Sequence, residues 1–181
     1  MAHAKLDAIA LLKADHRHVE SLFEQFEKAR KADRKAALAK EICTELTIHT
    51  MIEEEIFYPA CQNAVEEDTL SEAYVEHDGA KILIAEIEAG KPDDSFFDAK
   101  VKVLSEQIKH HVREEEMRSE GLFAQARAAG LDVRSLGEAL RARKEELLTE
   151  IKRTGIPAPE TRSFSAPTVK QGTPLSQQAT E

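Results

Sequence analysis

Residues 49–58 read HTMIEEEIFY, and the fold is decided by how this stretch is placed. His49 and Glu53 stand at i and i+4, so in an α-helix the imidazole and the carboxylate share one face. The surrounding apolar residues identify that face. A stripe at helical spacing runs Leu38, Ile42, Glu45 or Leu46, His49, Ile52 or Glu53, Ile56. A histidine and a glutamate therefore occupy positions where core residues belong. Burying a carboxylate without a partner is costly. A metal ion would satisfy both groups together, which sends the search outward for further ligands.

Upstream, Leu6 to about Arg30 forms a first amphipathic helix with Ile9, Leu12, His16, Val19, Phe23 and Phe26 on one stripe. His18 lies about 200° round that helix from His16 and should face solvent. Glu20 flanks the stripe and is expected on the surface. The helix containing His49 is expected to run from an Asp33 cap to about Val65, with a kink or break after Tyr58 because Pro59 cannot continue the ladder. A third helix, Thr69 to Ala89, carries Leu70, His77, Ile84 and Ile87 on its stripe and stops at Gly90-Lys91-Pro92. A fourth, capped by Asp93, Asp94 and Ser95, carries Phe97, Val101, Leu104, Ile108, His111 and Glu115. His111 and Glu115 repeat the spacing of His49 and Glu53. Gly121 is expected to break the helix, and Leu122 to Ala129 to continue it briefly. Asp132 then caps a fifth amphipathic helix that runs to about Lys152.

The predicted fold is all-α: an up-down-up-down four-helix bundle over residues 1–130, with an extra C-terminal amphipathic helix over 131–153 packed on or extending it. From Thr154 the chain is rich in Pro, Ser, Thr and Gln, and residues 154–181 are predicted to be a disordered tail. Counting outward from each turn puts His16, His49, His77 and His111 at comparable depth, within the error of the expected boundaries. The candidate ligand set is therefore His16, His49, Glu53, His77, His111 and Glu115. A lone stripe histidine is usually a hydrogen-bonded core residue. Here there are four imidazoles and two carboxylates with no cation among them. His3, His18 and His110 are expected outside the cluster. Glu54, Glu55, Glu114 and Glu116 are expected on the solvated face; Tyr58 and Tyr74 lie within reach of the site, with packing the expected role of both.

Imidazole mixed with carboxylate, without thiolate, suits iron, and manganese or zinc less well. Two irons bridged by Glu53 and Glu115 use every ligand. A formal net charge of −9 and the lack of a basic run argue against nucleic acid as a partner. No apolar run reaches the roughly 20 residues of a membrane span. Without a signal-peptide layout, a cytoplasmic protein is expected. Cys43 and Cys61 would lie roughly 27 Å apart on one helix and are expected as separate reduced thiols.

At these residues the chain resembles the hemerythrin-like, HHE cation-binding family. The matching segments are LLKADHRHVESLFEQFE, ICTELTIHTMIEEEIFYPA, EHDGAK and HHVREEEMRSEGLF. The resemblance implies a four-helix bundle around a non-haem, usually di-iron, centre with carboxylate bridges. Carried across residue by residue, it implies His16 from the first helix, His49 and Glu53 from the second, His77 from the third, and His111 and Glu115 from the fourth. Oxygen or a related small molecule is the implied ligand, for sensing, storage or stress response; an enzyme consuming peroxide or nitric oxide, or an iron-handling protein, is the alternative. The chain departs from the oxygen carriers in two respects. They place two histidines at i and i+4 on the third helix, whereas His77 here has Ala73 before it and Lys81 after it. Their fourth-helix carboxylate lies five residues after the histidine, whereas here Glu115 and Glu116 are both available and Glu115 repeats the spacing of Glu53.

Overall fold

The computed structural model describes residues 7–165. Its elements are α1 (Ala8–Lys28), α2 (Ala32–Ile52), a π-helical turn (Glu53–Phe57), α3 (Tyr58–Cys61), α4 (Glu67–Ala89), α5 (Phe97–Glu115), α6 (Leu122–Ala128) and α7 (Val133–Thr154). Helices α1, α2, α4 and α5 each pack on the next, and α5 returns to α1, which closes an up-down-up-down bundle. Helix α7 lies outside this ring against α1 and α2.

The helix ends follow local chemistry, with some differences from expectation. Asp7 caps α1 by accepting from the Ala10 amide at 2.8 Å. Asp132 caps α7 as expected, its Oδ1 accepting from the Ser135 amide at 3.0 Å. Asp33 is not a cap: it sits in the first turn of α2, and Lys31 holds the cap position. Asp93, Asp94 and Ser95 also do not cap α5, which starts from Phe96 without a side-chain bond. Asp94 instead accepts from the Lys91 amide at 2.7 Å, so it shapes the turn rather than the helix.

The break near Pro59 falls earlier than predicted. Proline has no N–H to give the carbonyl four residues back, so the ladder widens in the preceding turn. The Tyr58 amide donates to the Glu53 carbonyl, five residues back. This extra residue per turn brings position i+5 onto the face that i+4 would hold in an α-helix. Glu53 and Tyr58 consequently point the same way.

Two apolar clusters fill the bundle, one at each end. The first holds Val19, Phe23, Leu46, Ala80 and Ile108 among others. The second holds Leu12, Ile52, Ala73, Leu122 and Phe123, together with Leu140, Leu147 and Ile151 of α7. His16 lies between Leu12 and Val19, His49 between Leu46 and Ile52, His77 between Ala73 and Ala80, and His111 between Ile108 and Leu122. All four histidines therefore fall at the seam between the clusters. Cys43 and Cys61 are both buried and free.

The segment from Gly155 to Ser163, in the expected tail, makes specific contacts with the bundle. Gly155, at φ 85°, reverses the chain after α7. Ile156 then packs on both apolar clusters. The amides of Arg162 and Ser163 and the Ser163 hydroxyl all donate to Oδ2 of Asp78, at 2.7, 2.6 and 2.7 Å. Composition understates this segment because its anchors are polar and lie on α4. Residues 166–181 of the expected tail, and His3, lie outside the described residues.

Gly121 ends the turn between α5 and α6. A Cβ there would come within 2.6 Å of the carbonyl oxygens of Glu114 and Glu115 and of the Met117 nitrogen. All three are backbone atoms that cannot swing away. Gly121→Ala is expected to lower stability by about 1–3 kcal/mol in denaturant unfolding, because the turn that carries Glu115 must shift. An unchanged midpoint would show that the turn relaxes freely.

Candidate metal centre

The structure brings all six sequence-predicted residues into one cluster. His16, His49, Glu53, His77, His111 and Glu115 are each no more than 5% exposed. Ligand atoms of His16, His49, Glu53 and Glu115 lie within 4.8 Å of one another, as do those of Glu53, His77 and His111. The imidazoles form two pairs, with Nε2 atoms 3.1 Å apart for His16 and His49 and 3.2 Å apart for His77 and His111. The carboxylates stand between the pairs. Glu53 Oε2 is 3.2 Å from His49 Nε2 and 3.3 Å from His77 Nε2. Glu115 Oε2 is 3.4 Å from His16 Nε2 and 3.5 Å from His111 Nε2. Each carboxylate thus joins one member of each pair.

A second layer of carboxylates surrounds the first. His16 Nδ1 donates to Glu116 at 2.8 Å, His77 Nδ1 to Glu54 at 3.1 Å and His111 Nδ1 to Glu76 at 2.7 Å. His49 Nδ1 faces Asp15 at 3.8 Å, too far for a hydrogen bond. The pattern follows the chain. Asp15 precedes His16 on α1 and serves His49 on α2. Glu54 follows Glu53 and serves His77 on α4. Glu76 precedes His77 and serves His111 on α5. Glu116 follows Glu115 and serves His16 on α1. Each helix lends the neighbour of its own inward residue to the next helix round the ring.

Cations hold this outer layer in place. Asp15 pairs with Lys144 of α7 at 2.7 Å, Glu116 with Arg17 at 2.6 Å, and Glu54 with Lys81 at 2.7 Å and Arg162 at 2.9 Å. The Glu54 and Glu116 assignments therefore correct the sequence reading, which had both on the solvated face. Glu54 is 8% exposed. Glu55 is on the surface as expected, paired with Arg143 at 2.6 Å. Glu114 is partly buried beside exposed His110, at 3.1 Å. His18 is exposed, and Glu20 pairs with Arg17 at 3.3 Å.

Tyr58 is the main residue that the sequence reading missed. It is fully buried, and its hydroxyl lies 3.0 Å from Glu115 Oε1, 3.1 Å from His77 Nε2 and 3.4 Å from Glu53 Oε2. An α-helical count turns Tyr58 away from Glu53. The π-helical turn restores it, and Pro59 was the available signal. Tyr74 keeps a packing role, edge-on to Tyr58 with ring centroids 5.2 Å apart.

The donor set fits a cationic guest. A carboxylate oxygen can only accept, so the outer layer fixes the proton on Nδ1 of His16, His77 and His111 and leaves their Nε2 lone pairs facing inward. Those lone pairs meet the oxygens of Glu53 and Glu115, and among the described residues the Tyr58 hydroxyl is the donor that faces those oxygens. Glu53 Oε1 and Glu115 Oε2 are buried without a hydrogen-bond partner. Such a cluster is satisfied by metal ions or by added protons. In the metal-free fold protons take that place. Burial pulls His49 down, but Glu53 and Asp15 outweigh it and hold it up at about 10. Burial likewise opposes His111, yet Glu115, Glu76 and Glu53 raise it to about 9. Burial raises Glu53, while His49 and His77 hold it well below the usual carboxylate range. Tyr58 is pushed up, first by burial and then by Glu115 and Glu53, and remains a neutral phenol.

Beside the imidazoles lies a cavity of about 10 Å³, lined by all four histidines and by Val19, Leu46, Ile108 and Val112. Among the described residues, no helix is long and apolar enough to cross a membrane.

Comparison with known proteins agrees with this geometry. A crystal structure of a hemerythrin HHE cation binding domain-containing protein from Mycobacterium kansasii superposes with a TM-score of 0.68 at 21% identity, covering 83% of this chain and 94% of that one. That likeness shows the fold. A DNA nickase of Nostoc sp. is 30% identical over 106 residues, which is 59% of this chain and 30% of the nickase. The chain thus spans less than a third of that relative's length. The model of the hemerythrin HHE cation binding domain matches residues 7–126, which include both histidine pairs, Glu53 and Glu115. The chain belongs to the hemerythrin HHE cation-binding domain family.

Proposed function

We propose that this protein holds two irons and uses them to bind oxygen or a related small molecule, for sensing, storage or stress response. One iron would take His16 and His49, the other His77 and His111, and Glu53 and Glu115 would bridge them. The observation that carries this reading is the placement of each carboxylate oxygen within 3.2–3.5 Å of one imidazole from either pair. Imidazole and carboxylate donors without thiolate favour iron, with manganese or zinc as lesser fits. Iron supplies reversible electron transfer and open coordination positions. The chain supplies the apolar side chains of Val19, Leu46, Ile108 and Val112 beside the imidazoles.

A second reading is favoured by Tyr58. Its neutral phenol is a buried proton donor 3.0 Å from Glu115. Simple carriage takes up no net proton, whereas turnover of peroxide or nitric oxide moves protons onto the released oxygen. Tyr58 also stands 3.1 Å from His77. We place DNA cleavage outside the proposed function. The matched segment is 30% of the nickase, and this chain's formal net charge of −9 disfavours phosphate contacts. A cytoplasmic location is part of the proposal.

Two experiments test it. Iron content by elemental analysis should fall by at least half in His49→Ala and in His111→Ala and stay near the wild-type value in His18→Ala. Equal content in all three would remove the assignment. Tyr58→Phe should retain its iron. If the phenol donates a proton in turnover, this variant loses roughly ten-fold or more of any peroxide consumption, with optical spectra recorded with and without air. An unchanged rate would return the protein to the binding reading.

A further inference from the structure

We infer that Arg162 is a positioning residue for His77, acting through Glu54, and that the segment from Ile156 to Ser163 is a strap holding it there. The inference rests on the proposed function for the metal at His77, but Arg162 and the strap lie beyond the 7–126 match to the family. Three of the four outer carboxylates take their partners from helices. Glu54 alone, among the described residues, also takes one from outside any helix. Arg162 Nε donates to Glu54 Oε2 at 2.9 Å, and Glu54 Oε1 accepts from His77 Nδ1 at 3.1 Å. The two oxygens of one carboxylate are thus divided between the strap and the imidazole, so a shift at one is felt at the other.

The strap is anchored by polar contacts at its far end. A cavity of about 510 Å³ lies between it and helices α2 and α4, lined by Met51, Ile84, Pro157 and Pro159 among others. Its middle therefore spans space rather than packing. Beyond Ile156, its hold comes from the three bonds to buried Asp78 and from Lys81, whose Nζ donates to the Glu160 carbonyl at 3.0 Å. Lys81 stands one helical turn after His77 on α4. It grips the strap, Asp78 at 3.2 Å and Glu54 at 2.7 Å.

The test compares iron-loaded wild type with Arg162→Ala, Arg162→Lys, Glu54→Gln, the double variant Glu54→Gln/Arg162→Ala, and a truncation after Arg153. The readouts are the rate of iron release to a chelator and the position of the visible charge-transfer band, with far-UV circular dichroism confirming an intact bundle. Arg162→Ala and the truncation should release iron faster by on the order of ten-fold and shift the band alike. Arg162→Lys should recover most of the wild-type rate. The double variant should be no worse than Glu54→Gln, because both act on one chain of contacts. An Arg162→Ala protein with wild-type release and spectrum would overturn the inference, even if truncation weakened retention. Additive effects in the double variant would overturn it as well. A wild type that holds no iron would instead overturn the proposed function on which it rests.

Discussion

The structure depends on lone pairs that face one another. Four imidazole nitrogens and two carboxylates meet at the seam between two apolar clusters. The outer nitrogens of His16, His77 and His111 are committed to carboxylates, so these three have no proton to offer inward without becoming charged. A cation at the centre turns this mutual repulsion into attraction. The same arrangement fixes the register of the bundle, since a helix sliding by one turn would bury a bare carboxylate in one of the apolar ends.

The ring of outer carboxylates makes this register cooperative. Each helix both contributes an inward residue and steadies the imidazole of the next, through Asp15, Glu54, Glu76 and Glu116. Helix α7 and the strap join the same scheme through Lys144 and Arg162. They are linked to the centre at one remove, although neither supplies an inward residue. The π-helical turn is the local exception that completes it, because it lets Glu53, Glu54 and Tyr58 all be buried within six residues.

Much of this was legible in the sequence because it obeys a helical period. The stripes through His16, His49, His77 and His111, and the repeated histidine-to-glutamate spacing, placed the six inward residues and the bundle. What escaped did not obey that period. Tyr58 is off the stripe until Pro59 widens the turn before it. Asp15, Glu54, Glu76 and Glu116 each face a neighbouring helix, so their partners are set by packing between helices and not by spacing within one. In a chain with this many surface carboxylates, their position next to an inward residue is a weak signal. The strap escaped because Pro, Ser and Thr suggest disorder, while its anchors, Asp78 and Lys81, lie over 70 residues earlier.

Thermal unfolding of the metal-free and iron-loaded proteins between pH 6 and pH 9.5 tests the central claim most directly. In the metal-free fold, His49 and His111 are raised above the unfolded histidine value of about 6.5. Their protonated pairs stabilise that form fully below about pH 6.5, and this contribution is lost as pH rises through about 9 to 10. The iron-loaded form needs no such protons, and ligation strengthens as they leave. The account predicts a metal-free melting temperature that falls with rising pH, an iron-loaded one that does not, and a gap that widens. Coincident curves across the range would show an ordinary polar core and contradict it.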